Sequence, residues 1–129
     1  MITSLTTDFL IRIKNGSRAG RPTISAPGSK FCTAIAQLLK KYGYISDYSI
    51  TTDVKKVITV TLAYQNHQPR IYDITLFSKP GRRIYEKTHS LPWGKNKESL
   101  IVISTSSGVM SQKEAKKRGL GGEIIAEIW

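Results

Sequence analysis

The sequence predicts an α+β fold in two small lobes, an N-terminal one with two helices on a short antiparallel sheet and a C-terminal one that is mostly β with one short helix. Three observations carry this reading. Apolar residues recur at helical spacing twice, in Leu5, Phe9 and Ile13 with Leu10 beside them, and again in Ile35, Leu38, Leu39 and Tyr42. Ile58, Val60, Leu62 and Tyr64 alternate with Thr59 and Thr61, the period of a half-buried strand. Leu100, Ile101, Val102 and Ile103 form an unbroken apolar, β-branched run, as a buried strand requires.

The elements follow in order. The first helix starts near Thr3 or Ser4 and is closed by Asn15 and Gly16, with Asp8 and Arg12 four residues apart and able to pair. After an extended piece at 23–26, Pro27 and Gly28 break the chain, and Ser29 caps a second helix that carries Lys30 in its first turn and stops at Gly43. Strands are expected at 44–50 and 57–64 around a turn at 52–56. The polar run from Gln65 through Arg70 marks the boundary between a domain of residues 1–66 and one of residues 67–129. Beyond it 71–77 is extended, Pro80 and Gly81 suit the centre of a turn at 78–81, and 82–85 returns as a strand. Ser111 followed by Glu114 fits a capping box for a helix at 112–118 ended by Gly119, and 124–129 supplies the last strand.

Charge narrows the function. The 129 residues hold 20 lysines and arginines against 9 acids, a net charge of +11, which points to a polyanionic partner, nucleic acid first, because each neutralised phosphate releases counterions. The excess is spread over both halves. One cysteine, Cys32, excludes an internal disulfide and sits among apolar helix positions as an inert thiol would. His67 and His89 stand apart with no ligand spacing, so neither a metal nor a cofactor is expected. No apolar run approaches the roughly 18 residues of a membrane span, and no secretion signal opens the chain.

The candidate binding surface is the stretch Ser104, Thr105, Ser106, Ser107 and Gly108 with the short basic helix after it and Gly119, Gly121, Gly122 and Glu123 beyond. Small hydroxyls donate and accept at close range, and glycine lets the backbone approach, so phosphate oxygens, ribose hydroxyls and base edges can all be met. An ordinary surface turn would read the same way. Arg12, Lys14, Arg18 and Arg21 make the end of the first helix and the loop after it basic, as either an RNA-facing edge or a solvated helix face would be. A cation at a helix start opposes the dipole, which favours a ligand-facing role for Lys30; Lys40 and Lys41 complement the dipole of the same helix.

Together these residues resemble the small-subunit ribosomal protein eight family of bacteria and organelles, over nearly the whole chain. The resemblance rests on Asp8, Arg12, Ile13, Asn15 and Gly16; on Ser29 and Lys30; on the run of Ser78, Lys79, Pro80 and Gly81 with Arg83, Ile84 and Tyr85; and on Ser104, Thr105, Ser106, Gly108, Val109 and Met110, then Ala115, Gly119, Gly121, Gly122, Glu123 and Trp129. It implies a non-catalytic structural protein that binds the central domain of small-subunit ribosomal RNA early in assembly and helps organise the platform. By matching position, the RNA-binding residues are Ser104, Thr105, Ser106, Gly108, Gly122 and Glu123, with Tyr85, Arg83, Lys30, Ser29, Arg12 and Asn15 added. Tyr85 either stacks on a base or fills a gap between strands. Glu123 either accepts from a base amino group or ribose hydroxyl, or pairs with Lys113 or Arg118.

The resemblance also implies neighbouring small-subunit proteins, five and twelve, as partners, and a ribosome in the bacterial cytoplasm, the mitochondrial matrix or the plastid stroma. A start directly at the family's first helix leaves no expected room for a cleaved transit peptide. Two positions depart from the family: Ser107 stands where lysine is common, and residues 95–99 replace a glycine-rich approach to the buried strand. Among rival readings, a free-standing regulator that binds messenger RNA or DNA shares the charge and size. An enzyme lacks support, since no Ser, His and acid spacing and no glycine-rich phosphate loop is present, and no small-molecule substrate is expected.

Overall fold

Thr3 opens the first helix, its hydroxyl accepting the Thr6 N–H at 3.4 Å and satisfying one of the amides a helix start leaves over. The computed structural model describes residues 3–92, 94 and 99–129, so most of the departure at 95–99 lies outside the described residues. Helix α1 (Ser4–Arg18) buries Phe9, Leu10 and Ile13, whereas Leu5, expected on the same stripe, is exposed. The helix does not close at Asn15 and Gly16. Gly16 is buried because strand β1 (Thr23–Pro27) crosses there, and a Cβ on it would stand 2.4 Å from Ile24 Cγ2. The stop comes at Gly20 (φ +70), where the Arg21 N–H donates to the Gly16 carbonyl at 3.0 Å and the Gly20 N–H to Ser17 at 3.2 Å. Helices α2 (Lys30–Lys41) and α3 (Gln112–Arg118) end in the same pattern at Gly43 and Gly119, as the sequence predicts.

Strand β3 (Val57–Leu62) lies between β1 and β2 (Ile45–Thr51) in an antiparallel sheet, with Ile58, Val60 and Leu62 turned inward as the alternation requires. It stops short of Tyr64, which joins a small hairpin, β4 (Tyr64–Gln65) with β5 (Gln68–Pro69), turned by Asn66 and His67 in the left-handed region. The Tyr64 hydroxyl donates to the Arg21 carbonyl, tying that hairpin to the end of α1. Cys32 on α2 is fully buried.

The second sheet is organised by its last strand, β10 (Gly122–Ile128), which begins two residues earlier than predicted. One edge of β10 pairs with β8 (Leu100–Thr105), which pairs with β9 (Gly108–Ser111); the other edge takes β6 (Ile74–Leu76) and then β7 (Tyr85–Glu86). The predicted extended run at 71–77 is therefore shorter, and 82–85 does not return upon it. Both segments line the same edge of β10, and the chain between them leaves the sheet in an excursion whose tip is the Pro80 and Gly81 turn, closed by mutual Lys79 and Arg82 backbone bonds of 2.8 Å. Ser78 makes this possible. Its fully buried hydroxyl donates to the Ile124 carbonyl at 2.6 Å and accepts the Ile84 N–H at 2.9 Å, closing the base of the excursion. A 3₁₀ turn (Thr88–Ser90) follows β7.

The unbroken apolar run of β8 is explained by burial on both faces. Leu100 and Val102 join Ile125 and Ile128 in the main core with Phe9, Ile13, Ile35 and Ile58, while Ile101 and Ile103 join Ile124, Met110 and Ala115 in a smaller cluster beneath α3. The main core thus draws side chains from both sides of residue 66. Asp73 adds a polar link at the same junction: its carboxylate meets Lys14 Nζ at 3.3 Å and Arg18 Nη2 at 3.2 Å and accepts the Ile74 N–H at 2.8 Å. Burial opposes its ionisation, but the Ile74 amide and the two α1 cations outweigh it and hold the carboxyl below its usual range.

A group whose folded pKa is depressed contributes stability above its unfolded value of 3.8 and loses it as pH falls below that value toward the folded one. Asp73→Asn should therefore lower stability at neutral pH and flatten its fall below pH 3.8, as urea titrations at several pH values would read. Ser78→Ala leaves the Ile124 carbonyl and the Ile84 amide without this partner inside the fold, and we expect a loss of about 1–3 kcal/mol in the same assay.

Candidate nucleic-acid interface

The hydroxyl stretch at 104–108 is the tip of the β8–β9 hairpin. Ser104 and Thr105 are the last residues of β8, Ser106 and Ser107 form the two-residue turn, and Gly108 (φ +114) starts β9. Thr105 shapes the tip from inside: Oγ1 accepts the Ser107 N–H at 3.1 Å and donates to the Gly108 carbonyl at 2.8 Å. Ser106, Ser107 and Gly108 are the exposed members.

The sheet register aligns the remaining C-terminal candidates with this tip. Glu123 lies opposite Ser104 on one side and Tyr85 on the other, and Gly122 lies opposite Glu86. The paired glycines have a packing reason. A Cβ on Gly121 would stand 2.5 Å from the Glu86 carbonyl oxygen, and one on Gly122 would stand 2.1 Å from that of Ser104. Tyr85 is 59 % exposed and Arg83 is exposed two residues before it, so both can meet a partner; Tyr85 does not fill a gap between strands. Glu123 is 2 % exposed and lies behind this row. Arg118 pairs with Glu114 at 2.7 Å, which draws the Glu114 carboxyl below its usual range, and Ser111 Oγ accepts the Glu114 N–H at 3.1 Å as the cap of α3.

The N-terminal candidates fall elsewhere. Ser29 Oγ caps α2 by accepting the Cys32 N–H at 3.1 Å, and Lys30 is exposed on the turn that follows. Arg12 and Asn15 line a cleft of about 440 Å³ between α1 and β1, together with Arg21 and Ser25. Arg12 is held there by Asp8 (Nε to Oδ2, 2.9 Å) and by the Ser25 carbonyl (Nη1, 2.8 Å). A second cleft, of about 290 Å³, runs between α2, β9 and α3 and reaches Ser107 at the hairpin tip. It brings in Lys41 and Tyr42, which the sequence reading assigned to the helix dipole and the apolar stripe. Tyr42 is 40 % exposed, and its hydroxyl donates to Ser111 Oγ at 2.9 Å. No pattern in the sequence links residues 42 and 111.

Among the described residues no group of three or more His, Cys, Asp or Glu is placed to hold a metal ion, and no helix is long and apolar enough to cross a membrane. What the geometry offers is a line of hydroxyls, backbone and one aromatic ring on a strongly basic body. The family model described as ribosomal protein S8 matches residues 5–129.

The chain belongs to the ribosomal protein S8 family.

The S8 relatives include the small ribosomal subunit protein uS8 of Aliivibrio fischeri strain MJ11, 42 % identical over 94 % of this chain and 93 % of the relative. That of Spiroplasma kunkelii is 39 % identical over 95 % of each chain, and that of Mycoplasma capricolum is 39 % identical over the full length of both. The S8 match covers every element from α1 to β10 and includes the whole hairpin tip. Gly122→Ala should test the geometry that aligns the row: the Cβ would collide with backbone rather than with a flexible side chain, so we expect a loss of about 1–3 kcal/mol in urea unfolding.

Proposed function

We propose that this protein is a structural constituent of the small ribosomal subunit that binds the central domain of small-subunit ribosomal RNA through the β8–β9 hairpin tip and the strand row beside it. As an S8 protein it is not an enzyme. The observation that carries the reading is the register that aligns Tyr85, Glu123 and Ser104 behind an exposed tip of Ser106, Ser107 and Gly108. Hydroxyls and open backbone read irregular RNA by shape and by ribose 2′-hydroxyls, and an exposed tyrosine ring can stack on an unpaired base. Glu123, behind the row, acts as a positioning carboxylate, since its burial keeps it from the phosphates that a net charge of +11 attracts.

In this reading Arg12, Asn15, Ser29, Lys30 and Arg83 hold phosphates, and the hairpin tip discriminates. Residues 1–66 and 67–129 act as two contact domains, the first also facing neighbouring small-subunit proteins such as five and twelve. The bacterial relatives support a bacterial ribosome as the setting.

Affinity for a central-domain RNA fragment against an unrelated hairpin, measured across salt concentrations, tests this directly. Preference for the fragment that survives at high salt is expected; equal and wholly salt-sensitive binding would favour a generic basic module instead. Ser106→Ala should reduce discrimination about tenfold and leave the salt slope unchanged. Arg12→Ala with Lys30→Ala should reduce the slope by about 0.7–0.9 per lost phosphate contact and leave discrimination intact. Equal effects of both changes on both quantities would sink the division of labour.

A further inference from the structure

The cleft between α2, β9 and α3 is absorbed neither by the hairpin tip nor by the N-terminal basic edge. Its lining places Lys41, from the end of α2, with Arg118, from the end of α3, and with Ser107 at the tip. In sequence these belong to three separate elements, and Lys41 and Arg118 each read as a dipole complement of its own helix. The fold instead gathers them. Tyr42 Oη donates to Ser111 Oγ at 2.9 Å, so the last turn of α2 is fastened to the first turn of α3. Lys41 Nζ stands 5.9 Å from the Tyr42 ring centroid, and Arg118 Nε is held by Glu114 at 2.7 Å, so each cation has a neighbour in the cleft lining. Glu114, beside Arg118, lines the same cleft as Lys41.

We infer that this cleft is a second, phosphate-holding subsite that extends the RNA interface from the hairpin tip to the ends of α2 and α3, with Lys41 and Arg118 as its cations. The inference rests on the RNA reading of the tip. Two cations converging on a polar cleft, continuous with exposed hydroxyls, suit the repeating phosphates of a backbone that has already met Ser106 and Ser107. Glu114 sets the geometry of Arg118, and its charge limits how strongly the cleft holds an anion. Ser107 gives this subsite an exposed hydroxyl at the hairpin tip.

The test uses the full chain and the same central-domain RNA fragment, by fluorescence anisotropy across a salt series. Lys41→Ala with Arg118→Ala, both at exposed positions, should lower the slope of log affinity against log salt by about 0.7–0.9 for each phosphate released, with discrimination against the unrelated hairpin kept. Glu114→Gln should move affinity the other way, about threefold tighter at low salt and converging with the wild type at high salt. An effect of opposite sign at a neighbouring residue is one that mere loss of structure does not produce. An unchanged slope in the double variant, while the wild type still prefers the fragment, overturns the subsite alone and leaves the cleft for a protein neighbour. A wild type with no preference for the fragment overturns the reading beneath it.

Discussion

Strand β10 can lie where it does only because residues 121 and 122 have no side chains. It is flanked by β7 on one edge and β8 on the other, so close that a Cβ at either position would enter the backbone of a neighbour. That approach brings a strand from residues 85–86 and one from residues 100–105 to within two ladders of each other, and it aligns Tyr85, Glu123 and Ser104. The aligned row is a consequence of backbone contact. A glycine pair near a hydroxyl loop suggests direct access for a ligand, yet here its first role is to let strands meet, and exposure for a partner is supplied by the turn at 106–107.

What was legible in the sequence is what local chemistry decides. Ser29 and Ser111 announce helix starts because their hydroxyls can reach the amide three residues on, and both do so at 3.1 Å. Gly43 and Gly119 announce stops for the same local reason. The double-faced burial of β8 was visible in its unbroken apolar run. Gly16 misled because a buried helix glycine and a terminating one look alike in sequence; only the crossing of Ile24, eight residues later, separates them. The split edge formed by β6 and β7 was hidden more deeply. Turn chemistry at Pro80 and Gly81 favours a hairpin and is indeed present, but the partner that wins both strands is β10, far along the chain, secured by one buried hydroxyl, that of Ser78.

Of the candidate site, the hydroxyl tip was readable and the depth of its members was not. Alternation along the sheet cannot say that Glu123 sits at 2 % exposure while Tyr85, directly beside it, sits at 59 %. The difference comes from position across the sheet. Tyr85 is on a two-residue strand at the sheet's edge, where a side chain can lie outward, whereas Glu123 has strands on both sides. An acid there lies beneath the surface and does not itself present its carboxylate to a partner.

The same separation of roles runs through the cations. Arg12 with Asp8, Lys40 with Asp47, Arg118 with Glu114 and Arg18 with Asp73 are pairs in which the basic side chain keeps a large solvent-facing part, whereas Lys14 beside Asp73 is more covered. Exposed pairs of this kind contribute little to stability, about 0–1 kcal/mol each. Their effect is to fix where a long side chain points, and with 20 basic residues against 9 acids the pairing leaves the net charge strongly positive. Fixed cations lose less freedom when a phosphate arrives than mobile ones do, so each acid placed beside an arginine trades some attraction for preorganisation. Whether that trade favours binding depends on salt: at low ionic strength the lost attraction dominates, and as screening shortens the field the retained geometry decides.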